Sequence, residues 1–129
     1  MTRDRAATLT ASVGAGLLFA TAGYHFSAYG PVVAQATTEL RPFVSALWVA
    51  AGASLLISAL LTVAVTPLFI VRRRALLGIA ALTPLSLALL QILYLGFLPA
   101  TALLLLDTLV LLTAAEIGRA RQPFPAPVA

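Results

Sequence analysis

Cysteine and lysine are both missing from this 129-residue chain, and charge of either sign is scarce. Without cysteine there is no disulfide framework, no thiolate nucleophile and no cysteine-ligated metal. The four acidic residues and single histidine are equally limiting. One His and one deep Asp cannot build a conventional metal site, and the chain has no Gly-rich phosphate loop, HExxH or nucleophile elbow. No metal and no cofactor are expected. Charged residues make up 9% of the chain, where soluble domains carry about a quarter.

What is present is apolar. Hydrophobic residues account for 61% of the chain and the mean hydropathy is +1.05. A water-soluble globule of this size could not cover so much apolar surface, so the bilayer is the expected solvent. The net charge of +4 and pI near 10.8 could suggest nucleic acid. All the basic residues are Arg, however, and they sit in short clusters between apolar runs with no basic groove of interleaved aromatics. No nucleic-acid partner is expected. The bias toward Ala, Leu and Arg without Lys is that of a GC-rich, bacterial-type genome.

Four apolar runs predict helices at about 6–29, 43–66, 75–97 and 100–118. Each approaches or exceeds the roughly 20 residues that cross about 30 Å of hydrocarbon, and backbone polar groups in lipid must be satisfied within the segment. The expected fold is all-α, a polytopic, antiparallel four-transmembrane-helix bundle forming one domain over 1–118. A proline-rich cytoplasmic tail follows at 119–129. "GPVVAQATTELRP" (30–42) is expected at the interface, "RRR" (72–74) as a charged turn, and "GFLP" (96–99) as a tight link between antiparallel neighbours. The two halves show no internal repeat.

Arg3, Arg5, Arg72, Arg73, Arg74, Arg119 and Arg121 all fall on one side of four spans, and only Arg41 on the other. The positive-inside rule then makes both termini cytoplasmic, in a multi-pass protein of the cell (inner) membrane. Tyr24, Tyr29, Trp48 and Tyr94 gather toward the outer end, as interfacial aromatics do. A rival reading takes residues 1–22, ending in Ala20-Thr21-Ala22, as a cleavable signal peptide. His25 would then lie near the new N-terminus of a three-helix protein.

"LLLLDTLVLL" (103–112) places Asp107 in an oily run, about 10 Å below the outer surface at 1.5 Å per residue. Inserting it costs about 2.5–3.5 kcal/mol at the helix centre, which flanking Leu and Val residues at roughly −0.3 to −0.6 each offset. Once inserted, a protonated carboxyl is a hydrogen-bond donor, and intramembrane ionisable groups face the bundle interior or a wet cavity. By the same rise His25 lies about 6 Å deep, Trp48 about 8 Å and Gln91 about 9 Å. One polar side chain from each helix thus falls in one slab of the outer half-membrane. Tyr94 shares a face with Gln91 at i, i+3, and Thr21 sits one turn beneath His25.

If these groups converge, His25, Trp48, Gln91, Tyr94 and Asp107 form a ligand-binding pocket, with His25 and Asp107 as candidate catalytic acid and base. Each also has a plainer reading: Asp107 and Gln91 as interhelical glue, His25 as a satisfied or water-facing histidine, Trp48 as an interfacial anchor. Glu116 with Arg119 reads as a boundary ion pair. In "AAGASLLISALLT", Ser54, Ser58 and Thr62 at i, i+4 spacing form a small face that lets backbones approach, within the monomer or in a dimer.

The stretch "GLLFATAGYHF" (16–26), a loop, "LWVAAGASLLISALL" (47–61) and a basic turn together resemble the DoxX-like group of small four-helix membrane proteins. The resemblance covers about the first half of the chain. Many members have an acidic residue after the Gly of the second helix, whereas Gly52 here is followed by Ala53 and Ser54. The resemblance implies an antiparallel four-helix fold and carries no functional residues.

Three functions follow as expectations. The leading one is an accessory or interaction protein, non-enzymatic, whose outer-half polar cluster holds a small or lipid-like ligand. Its partners would be the lipid bilayer and either another membrane protein or further copies of itself. The second is a proton-coupled transporter or channel-like oligomer with Asp107 as the protonation site. The third is a membrane isomerase or hydrolase acting on a lipophilic substrate through His25 and Asp107.

Overall fold

The computed structural model describes residues 3–68 and 70–117. The described residues form five helices: α1 (Arg3–Ser27), α2 (Tyr29–Gln35), α3 (Arg41–Val65), α4 (Ile70–Leu95) and α5 (Pro99–Ile117). Four of them, all but α2, are long and apolar enough to cross a membrane. The proline-rich tail expected at 119–129, with Arg119 and Arg121, lies outside the described residues.

The helix ends differ from the sequence expectation in informative ways. The first span closes at Ser27, and Tyr29 begins α2, a seven-residue helix with no buried residue that packs on α3 and α1. Arg72, Arg73 and Arg74 are not a turn but part of the opening turns of α4. Arg is a good helix former, and at Arg72 and Arg74 the long stem carries the charge to the surface from a helical position. The break falls instead at Pro67, after the Thr66 cap of α3. The α4–α5 link is as short as expected, with Gly96 at φ 79, a left-handed conformation that glycine adopts without strain.

Packing closes the long helices into a ring. α1 lies against α3 and α5, and α4 lies against the same two. The buried stripes recur every three or four residues: Ala7, Ala11, Ala15, Leu18 and Ala22 on α1, and Leu104, Asp107, Leu111 and Ala114 on α5. Alanine is prominent because hydrocarbon provides no hydrophobic force between helices, and close van der Waals approach must take its place. The closest approaches occur at two glycines. A Cβ on Gly14 would lie 2.9 Å from Leu111 Cδ2, and one on Gly52 would lie 2.6 Å from Phe26 Cζ.

The outer surface has the reverse composition. Leu9, Val13, Leu47, Ile57, Leu60, Leu93 and Leu109 are all more than half exposed, as in a protein whose solvent is lipid. Ser58 and Thr62 of the small face on α3 are buried within the chain, which places that part of the face against its own neighbours. The Thr62 hydroxyl donates to the Ser58 carbonyl one turn back at 2.8 Å, a local bond that satisfies it without a partner helix. Pro84 is fully buried inside a helix that continues across it.

Candidate functional site

Asp107 is 1% exposed, on the inner stripe of α5 with Leu104 and Leu111. It faces α1, where the Thr21 hydroxyl donates a hydrogen bond to its carboxyl. Oδ2 is buried without a hydrogen-bond partner, the only such side-chain atom among the described residues. The Thr108 hydroxyl beside it donates back to the Leu104 carbonyl at 2.8 Å and so serves its own helix.

His25 and Trp48 meet at a different seam, between α1 and α3. The Trp48 indole N–H donates to the His25 carbonyl at 2.8 Å, and His25 Nε2 lies 2.8 Å from the Trp48 carbonyl. A carbonyl oxygen only accepts, so Nε2 carries a proton and donates it to Trp48. The rings stack with centroids 4.2 Å apart and planes 11° from parallel. Nearby, the Tyr29 and Ser45 hydroxyls bond each other between α2 and α3.

Gln91 joins a third seam, between α4 and α5. The Thr101 hydroxyl donates to Gln91 Oε1 at 2.8 Å and accepts from the Leu98 amide at 3.1 Å. This one hydroxyl ties the two helices together and satisfies an amide at the start of α5. Tyr94, expected on the same face as Gln91, is 79% exposed and points away from the bundle. At the other end of this seam Arg74 pairs with Glu116 at 2.8 Å; Arg119, the partner expected from sequence, lies outside the described residues.

The four polar residues of the expected slab are therefore distributed over three seams. Asp107 bonds Thr21, His25 pairs with Trp48, and Gln91 bonds Thr101. Thr101 escaped sequence reasoning, although its position three residues after Leu98 is that of a side chain that caps a helix start. Ser45 gave no signal at all. Among the described residues no three His, Cys, Asp or Glu side chains gather as a metal site would require.

A cavity of about 450 Å³ opens elsewhere, between α1 and the end of α3. Thr8, Ser12, Thr66 and Arg73 give it a polar end, and Gly16, Phe19 and Val63 an apolar one. Sequence reasoning had treated Arg73 only as a marker of orientation.

No family model, curated protein or solved structure matches this chain.

Proposed function

We propose that this chain is a small, non-enzymatic accessory protein of the cell (inner) membrane, an antiparallel four-helix bundle with both ends in the cytoplasm. The antiparallel arrangement is supported by contacts whose numbers run in opposite directions. Gly14 approaches Leu111 while Thr21 meets Asp107, and Gln91 meets Thr101 while Arg74 meets Glu116. The orientation rests on the arginine bias. The resemblance to DoxX-like proteins points to the same arrangement and adds no activity.

The observation that carries the accessory reading is that His25, Trp48 and Gln91 each bond one neighbouring helix. Trp48 and His25 commit N–H groups to each other's backbone, and Gln91 is held by Thr101. Groups arranged this way order a bundle, as interhelical hydrogen bonds do in lipid. Photocrosslinking residues placed along the exposed face of α3 in native membranes test the reading. It predicts a discrete, stoichiometric complex with one membrane protein, formed from adjacent positions on that face. Adducts with lipid alone would count against it.

The proton-coupled reading keeps one specific support, the buried and unpartnered Oδ2 of Asp107. Proteoliposomes with a pH-sensitive dye separate the two. The accessory reading predicts proton leak equal to empty vesicles for the native chain and for Asp107→Asn alike. A flux that Asp107→Asn abolishes would replace it with the proton-coupled one.

A further inference from the structure

Several hydroxyls in the spans satisfy themselves locally. Thr10, Thr62, Thr66, Thr108 and Thr113 each donate to the carbonyl four residues back in their own helix, a bond that needs neither water nor a second helix. Two hydroxyls of α1 behave differently. Ser12 has no hydrogen-bond partner among the described residues, and Thr8 only accepts, from Arg73 Nη1 at 3.4 Å. Ser12 lies about 10 Å along α1 from Arg5, where the candidate span begins. At that depth an unpaired polar group costs free energy.

Both hydroxyls belong to one cavity. Thr8, Ser12, Gly16 and Phe19 line it in succession along one face of α1. Thr8 to Phe19 covers about 16 Å at 1.5 Å per residue, close to one leaflet of a hydrocarbon core about 30 Å thick. Thr66 joins Thr8 at the polar end, where Arg73 bonds both residues. Its hydroxyl donates to the Thr62 carbonyl at 2.6 Å and keeps the capacity to accept. Phe19 is 40% and Val63 52% exposed, so the cavity is a groove open on its lipid side. Its volume of about 450 Å³ falls within the range of about 300–1,000 Å³ usual for small-molecule sites. Arg73 is 3% exposed and held by contacts within the chain. The groove therefore offers hydroxyls and not a free cation.

We propose that this groove binds one acylglycerol, a neutral lipid whose head consists of ester and hydroxyl groups. The ester carbonyl accepts from Thr8 and Ser12, a glycerol hydroxyl donates to the Thr66 hydroxyl oxygen, and the acyl chain runs past Gly16 to Phe19 and Val63. The hydroxyl set selects this occupant. A plain hydrocarbon chain leaves Ser12 unpaired. A phosphate or carboxylate would exchange its hydration for neutral hydroxyls alone, a greater loss than an ester suffers. None of His25, Trp48, Gln91 and Asp107 lines the groove, and the site does not depend on the accessory reading.

The full chain in detergent is titrated with monooleoylglycerol, oleate or phosphatidylglycerol and read by native mass spectrometry. The expected result is one retained monooleoylglycerol, preferred about tenfold over either anionic lipid. A Cβ on Gly16 meets nothing within 4 Å, so a larger side chain there enters the groove without disturbing the packing, and Gly16→Leu should abolish retention. Ser12→Ala should weaken it about fivefold, as loss of one neutral hydrogen bond does. Gly23→Leu is also into open space but outside the groove, and the Ser27 hydroxyl serves the Tyr24 carbonyl. Gly23→Leu and Ser27→Ala should each stay within about twofold of the native chain. Either anionic lipid retained as well as monooleoylglycerol, unchanged retention in Gly16→Leu, or equal losses in Ser12→Ala and Ser27→Ala would each overturn the proposal. If Gly16→Leu fails to fold, the comparison of lipids and Ser12→Ala decide.

Discussion

His25 and Trp48 hold each other by their backbones: the indole N–H of Trp48 donates to the carbonyl of His25, and Nε2 of His25 donates to the carbonyl of Trp48. With the rings stacked at 4.2 Å, this reciprocal clasp fixes α1 against α3 in both distance and register. Trp48→Phe keeps most of the stacking surface and removes one donor. It should lower the unfolding free energy by about 1 kcal/mol, the upper range measured for hydrogen bonds between membrane helices. His25→Phe should do the same. In a double-mutant cycle the two losses should sum to more than the loss of the double variant, because each removes part of one clasp. Strict additivity in equilibrium unfolding from mixed micelles would show the two bonds to be independent.

The Asp107–Thr21 contact predicts an asymmetric outcome. Thr21→Val leaves a buried carboxyl without its donor and should destabilise by about 1–3 kcal/mol. Asp107→Leu replaces the carboxyl, including the unpartnered Oδ2, with an apolar group and should be neutral or stabilising. The same unfolding assay checks both. A large loss in Asp107→Leu would mean that the carboxyl has a structural role beyond its bond to Thr21.

Close approach at Gly14 makes a further pair of predictions. Gly14→Ala drives a Cβ into Leu111 at 2.9 Å and Val110 at 3.3 Å, and overpacking of this kind costs about 1–3 kcal/mol. Leu111→Ala in the same chain should return part of that loss. Gly23→Ala, on the same helix with nothing within 4 Å, should be neutral. Similar thermal midpoints for Gly14→Ala and Gly23→Ala would contradict the observed seam.

Thr101 serves two partners, so its removal should be felt at both. Thr101→Val should cost about 1–2 kcal/mol and accelerate hydrogen exchange at the Leu98 amide. Gln91→Leu should leave that amide protected, because the Thr101 hydroxyl still accepts from it. Exchange at Leu98 that is equally fast in both variants would show that the cap depends on Gln91.

Much of the fold could be read from hydropathy alone, and the reason is physical. A span must be apolar over its whole length, so the four runs announced themselves. Helix ends were less legible, because arginine is compatible with both helix and loop; Arg72–Arg74 looked like punctuation and belong to α4. The candidate site was legible in depth and not in azimuth. Rise per residue placed His25, Trp48, Gln91 and Asp107 at similar depths, but which seam each faces depends on how four helices rotate about their axes. Thr101 and Arg73 were passed over because a hydroxyl near a helix start and a basic residue beside a span have ordinary explanations at sequence level.

The absence of cysteine makes orientation directly measurable. Glu39 and Arg72 are exposed at opposite ends of α3 and α4, so single substitutions to cysteine report on an otherwise unreactive chain. In intact cells a membrane-impermeant maleimide should label Glu39→Cys. Arg72→Cys should react only after permeabilisation. The reverse pattern would invert the topology.

Only residues 96–98 separate α4 from α5, and Gly96 turns the chain there with φ 79. A link this short holds the two helices side by side as one hairpin. The transfer cost of Asp107 is then set against the apolar surface of forty-five residues, 26 in α4 and 19 in α5, and not against α5 alone.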